Sequence, residues 1–102
     1  MADRLGTLKT LVEQNPTDSR TRYMLAMELG GAGDPEGAVR EYRAILAHDP
    51  DYAAAYFHGG QTLAKLGEAD AAREIYQQGI EACVRIGDSH TKSELEEALA
   101  AL

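Results

Sequence analysis

The feature that most constrains this chain is a fixed spacing between helix breaks. Pro16 and Pro50 stand 34 residues apart, each behind a polar residue, Asn15 and Asp49. Proline disfavours helix in the residue before it, so both positions read as helix ends. A fixed spacing of this length marks a unit repeated along the chain. Laying residues 17–50 on 51–84 sets Tyr42 on Tyr76, Ala38 on Ala72, Ala26 on Gly60, Leu29 on Leu63 and Leu46 on Ile80. Two antiparallel helices approach closely only where side chains are small, and flanking aromatics then fill the holes beside them.

Between the breaks the apolar residues follow a helical period. A first helix is predicted from about Asp3 to Gln14, with Leu5, Leu8, Leu11 and Val12 on one face. A second starts at Asp18 or Ser19, which can cap its free N–H groups, and stops at Gly30-Gly31-Ala32-Gly33. Asp34-Pro35 opens a third: Asp caps, and Pro suits the first turn. Its stripe is Ala38, Val39, Tyr42, Ile45 and Leu46. The fourth spans about Tyr52 to Leu66 with Tyr56, Phe57, Leu63 and Leu66. The fifth spans Ala69 to Ile86 with Ala72, Ile75, Tyr76, Ile80, Cys83 and Val84. Gly67 and Gly87 end them, and Asp88 or Ser89 caps a sixth carrying Leu95, Ala98, Leu99 and Leu102.

Leu25-Ala26, Leu29, Ala38, Tyr42 and Pro50 in one unit, and Tyr56, Gly60, Leu63, Gly67, Ala72 and Tyr76 in the next, resemble the tetratricopeptide repeat pattern, in its small bacterial form. The resemblance covers nearly the whole chain. It implies an all-α fold of stacked helix-turn-helix units in a short right-handed superhelix. Residues 1–16 would be a leading half-repeat, 17–50 and 51–86 two repeats, and 87–102 a capping helix over the last apolar face. Three departures stand out: Arg22 where the family often has Trp, Gly59 beside Gly60, and Val84 in place of the closing Pro. Two glycines inside a helix cost about 1 kcal/mol each relative to Ala, so they mark close packing, a kink or a weak point.

The resemblance also implies that the first helix of each repeat lines a concave groove. The positions are Arg20, Tyr23, Met24 and Met27, then Phe57, His58, Gln61 and Lys65. The residues lend independent support, because Leu25, Ala26 and Leu29 suffice for a core and leave Tyr23 and Met27 on another face. Met adapts its shape, and Tyr pairs apolar area with a polar tip, so such a patch suits a peptide or helix with an apolar side. Tyr23, Met24 and Phe57 equally fit a plain core assignment, Arg20 and Lys65 a solvated face, and His58 a partly buried histidine. Some family members hold a C-terminal carboxylate with Lys, Asn and Arg. Here Tyr23, Met27 and His58 stand at the matching positions, so that clamp is not expected.

Composition narrows the function further. Seventeen acidic against 10 basic residues give a net charge of −7, and the basic residues form no cluster, which argues against nucleic acid. No run is long and apolar enough to span a membrane, and the N-terminus lacks the pattern of a signal peptide, so a cytoplasmic location is expected. Cys83 is the one cysteine and falls on an apolar stripe. His48, His58 and His90 show no metal-ligand spacing, and no catalytic constellation is visible. The expectation is a protein-interaction module, an adaptor or assembly factor without enzyme activity, cofactor or metal, binding a peptide or helix of another protein. The alternative is self-association, a homodimer through the terminal helices.

Overall fold

A computed structural model describes residues 3–102. The first two residues of the expected leading half-repeat lie outside that range. Among the described residues there are six helices and no strand: α1 (Arg4–Gln14), α2 (Ser19–Gly31), α3 (Pro35–His48), α4 (Ala53–Lys65), α5 (Ala69–Ile86) and α6 (Ser89–Ala100).

Helix starts are written in carboxylates. Asp3, Asp18, Asp34 and Asp88 each accept from the backbone N–H three residues on, which satisfies one of the donors a helix N-terminus leaves free. Helix ends are written in glycines. Gly33, Gly67 and Gly87 have φ of 86°, 80° and 73°, a region most side chains avoid. Each lets the next residue's N–H turn back to a carbonyl five residues earlier: Asp34 to Leu29, Glu68 to Leu63 and Asp88 to Cys83. The chain therefore reverses after α2, α4 and α5 by one shared device.

Each helix packs on the next, and α6 also reaches α4. Leu8 and Val12 of α1 join Leu25, Leu29, Tyr42 and Ile45 in a first core. Tyr56, Leu63, Ile75, Tyr76, Cys83 and Leu95 build a second. Leu46 of α3 touches both and makes the stack continuous. Leu95 of α6 is fully buried where α6 packs on α5 and α4. The result is an all-α helical-repeat superhelix.

Three expectations about burial need correction. Leu11 is 44% exposed, because α1 packs chiefly on α2 and its apolar face is wider than that contact. Val84 is 64% exposed, one position past Cys83 and turned off the buried face of α5. Leu102 lies beyond the end of α6 and is exposed, so the apolar stripe of that helix stops at Leu99. The glycine pair in α4 marks close packing, since α4 is unbroken and a Cβ on Gly60 would overlap the ring of Tyr76. A Cβ on Gly59 would stand 3.2 Å from the Ile75 side chain.

Candidate functional site

The groove begins with what α2 leaves over. Leu25, Ala26 and Leu29 are buried, and the next face of the helix carries Tyr23, Met24 and Met27. Met24 and Met27 are 37% and 46% exposed, two large apolar side chains on one helix face. On α4 the corresponding face carries Phe57, His58, Gln61 and Lys65.

A ring cluster joins the two helices. Tyr23 lies 6.1 Å from Tyr42, 5.7 Å from Tyr52 and 5.7 Å from His58, centroid to centroid. His58 stacks on Tyr42 and meets Phe57 edge-on at 5.2 Å. Rings at such distances attract beyond their area of burial and hold one another in place. Burial pushes the His58 imidazole below its ordinary pKa, while the Glu94 carboxylate pulls the other way. Burial, with Tyr23 beside it, pushes the Tyr42 phenol up to about 12, so it remains a hydrogen-bond donor near neutral pH. It donates to the Met27 sulfur at 3.0 Å.

Beside this cluster α2, α3 and α4 enclose a cleft of about 220 Å³. Ala26, Met27, Gly30, Pro35, Ala38 and Tyr42 form an apolar side. His58, Gln61, Thr62 and Lys65, one face of α4, form the polar side. Four of the eight residues expected from sequence thus meet in one cavity: Met27, His58, Gln61 and Lys65. Tyr23 and Phe57 stand behind it as ring contacts of His58. Arg20 and Met24 are exposed and line no part of it.

Sequence reasoning missed Pro35 and Thr62 in this cleft. Pro35 was readable only as a helix start. Thr62 donates to the His58 carbonyl at 2.7 Å, a local bond that spacing does not signal. It also missed Tyr52, whose ring extends the cluster toward a second, wide-open hollow of about 350 Å³ between the starts of α4 and α6. Asp51, Tyr52, Ile86 and Asp88 are among its lining residues.

The remaining titratable groups have structural surroundings. Cys83 is buried, and burial pushes its thiol up, away from reactive thiolate. His90 sits 3.5 Å from Glu94 on the surface of α6. Among the described residues no three His, Cys, Asp or Glu side chains converge as a metal site, and no helix is long and apolar enough to cross a membrane.

The family model described as tetratricopeptide repeat matches residues 23–83. A tetratricopeptide repeat domain protein from Salinibacter ruber is 33% identical, over 85% of this chain and 88% of that one, with a TM-score of 0.80. A protein from Bordetella parapertussis is 26% identical, over 99% and 88%, with a TM-score of 0.82. PcrH, solved in complex with the chaperone binding region of PopD, is 18% identical over 97% and 75%, with a TM-score of 0.89, a likeness of fold. Among curated proteins no sequence match was found.

Proposed function

This chain belongs to the tetratricopeptide repeat family, and from that premise we propose that it is a protein-interaction module holding a peptide or helix of another protein in the groove of α2 and α4. The observation that carries the reading is the cleft itself. It sets an exposed methionine and a tyrosine ring opposite polar α4 side chains, on helices fixed from behind by two continuous cores. A surface held this rigidly loses little freedom on binding, so contact energy is not spent on ordering it. PcrH, which has this fold, was solved with a segment of PopD, and that complex supports the same use of the frame here.

In this reading residues 1–16 are a leading half-repeat, 17–50 and 51–86 are two repeats, and 87–102 are the cap. Arg20, Tyr23, Met24 and Met27, with Phe57, His58, Gln61 and Lys65, form the partner-binding face. Met27 contacts the partner, Tyr23 and Phe57 hold His58 in position, and Arg20 and Met24 meet the partner at the rim. Catalysis has no place in it. The role is that of an adaptor or assembly factor in the cytoplasm.

The test is capture from lysate of the source cell by the wild-type chain and by a Met24→Glu, Met27→Glu variant. Both side chains are exposed, but the Met27 sulfur accepts from Tyr42, so circular dichroism checks that the variant keeps its fold. A protein retained by the wild type and lost by the variant supports the groove. Equal capture by both moves the binding site to another face.

A further inference from the structure

The cleft reverses the charge of the protein around it. The chain carries 17 carboxylate side chains against 10 cations, a net charge of −7, yet no carboxylate lines the cleft and one cation, Lys65, does. Arg4, Arg22, Arg73 and Arg85 are each engaged by a carboxylate within 3.0 Å. Lys65, like Lys9, Arg20, Arg40, Arg43 and Lys92, makes no such pair among the described residues, and of these six it is the one that lines the cleft. The second hollow is the opposite case, with Asp51 and Asp88 in its lining and no cation. Tyr52 lines that hollow, His58 lines the cleft, and Tyr23 touches both rings, so the two lie along one surface.

We propose that the cleft reads a short peptide motif, a bulky apolar side chain followed closely by a carboxylate, with the apolar group against Met27 and Tyr42 and the carboxylate against Lys65. This rests on the groove reading above and names its partner class. Three features of the site supply the recognition. The cleft has the volume of about one large side chain, and its apolar side has the small floor residues Ala26, Gly30 and Ala38, which leave depth for an anchor. Gln61, exposed on the α4 wall, offers an amide donor and an acceptor to the backbone of an extended peptide. Lys65 lies one helical turn beyond Gln61 on the same face and supplies the charge.

The net negative charge of the chain adds selectivity to this arrangement. No carboxylate lines the cleft, and the one whose charge reaches it, Glu94 at His58, is screened over about 8 Å at physiological salt. A basic motif is drawn to the acidic surface at large but meets Lys65 at the anchor. The cation at the cleft therefore separates a specific site from a diffusely attractive surface.

The experiment selects random short peptides displayed on phage against the full chain and, in parallel, against Lys65→Glu and Met27→Glu variants. Both substitutions are at exposed positions, and folding is checked by circular dichroism. Wild-type selection is expected to enrich an apolar residue with Asp or Glu close behind it, and Lys65→Glu to move the preference to Lys or Arg at that position. A synthetic peptide of the enriched sequence should bind Lys65→Glu about tenfold more weakly than wild type in fluorescence anisotropy. Apolar peptides without a preferred charge, or an acidic preference unchanged in Lys65→Glu, overturn the motif while the groove stands. Peptides bound equally by wild type and Met27→Glu, or no enrichment at all, overturn the groove reading together with it.

Discussion

The pair α2/α3 and the pair α4/α5 solve the same packing problem with different chemistry. Position for position, Arg22 corresponds to Tyr56, and each reaches the carbonyl of the proline six residues before it. Arg22 donates to Pro16 at 2.8 Å and Tyr56 to Pro50 at 2.6 Å. The family's usual Trp at this place is replaced twice, by a guanidinium and by a phenol, and the bond to the preceding turn is kept. Arg22 then continues to Glu41 on α3 at 2.8 Å, whereas the residue matching Glu41 in the second pair is Ile75, buried in the core. At this position one pair is latched by a half-buried charge pair and the other by apolar packing, its own ion pair, Arg85 to Asp51, lying at the surface. The frame is thus set by the backbone device and by small residues at the crossing, and the latch is free to vary.

The crossing points differ too. In the first pair Ala26 faces Tyr42. In the second, Gly60 faces Tyr76, whose ring occupies the space a methyl would take. Gly79 likewise makes room for Tyr56, where the first pair has Ile45. In the second pair both glycines receive a tyrosine ring. In the first pair Tyr42 lines the cleft and gives its hydroxyl to Met27.

The sharpest way to break this comparison is to remove both latches. Tyr56→Ala empties a buried aromatic position and is expected to cost about 3–5 kcal/mol. Arg22→Ala breaks a pair whose side chains are only 15% and 20% exposed, and is expected to cost about 1–2 kcal/mol. Urea unfolding followed by circular dichroism measures both. Equal losses would mean that the two latches are not different in kind.

A smaller effect sharpens the crossing. Gly60→Ala gains about 1 kcal/mol of helix propensity but forces the Tyr76 ring aside, for a net loss of about 1–2 kcal/mol in the same titration. Gly31→Ala, also in a helix but with open space around its Cβ, should stabilise by up to about 1 kcal/mol. A stabilised Gly60→Ala would show that the close approach of α4 and α5 does not need glycine. Smaller again is the outcome for the charged latch. Replacing Arg22 and Glu41 together by Met and Leu is expected to leave stability within about 1 kcal/mol of wild type, because the desolvation of both charges disappears with their attraction.

The helices were legible in the sequence because their signals are local. Asp34-Pro35, Gly67 and Gly87 act within a turn, and the boundaries of α5 fall where the pattern puts them. The repeat register was legible because Tyr42/Tyr76 and Ala38/Ala72 recur at one spacing. Exposure at the ends was not, since Leu11 and Val84 look like their buried neighbours until the number of packed helices is known. Part of the cleft was legible: the family resemblance put Met27, His58, Gln61 and Lys65 on the groove side, but Pro35 enters through the packing of a neighbouring helix and Tyr52 through its ring against Tyr23. The role of Arg22 was equally hidden, because its partners Pro16 and Glu41 lie 6 and 19 residues away.

The smallest expected effect belongs to His58, one of the four cleft residues supplied by α4. Its pKa is lowered in the folded chain by burial, so the unfolded chain takes up a proton first as pH falls. Stability from this group is complete above the ordinary value of 6.5 and is lost as pH drops through the window between that value and the lowered one. Asp18 and Asp88, whose pKa values are lowered by bonds from Thr21 and Thr91, lose their contribution only below their ordinary 3.8. The two windows are separate. Urea midpoints measured from pH 7.5 to pH 4.5 should therefore fall in the wild type and fall less in His58→Gln, whose side chain does not titrate. Parallel slopes would place the proton uptake on another group. A charged imidazole would also stand among the rings of Tyr23, Tyr42 and Phe57, with the Glu94 carboxylate as the charge that acts on it. The same fall in pH should then disturb the cleft before it disturbs α5, with tyrosine fluorescence shifting ahead of the loss of helix signal.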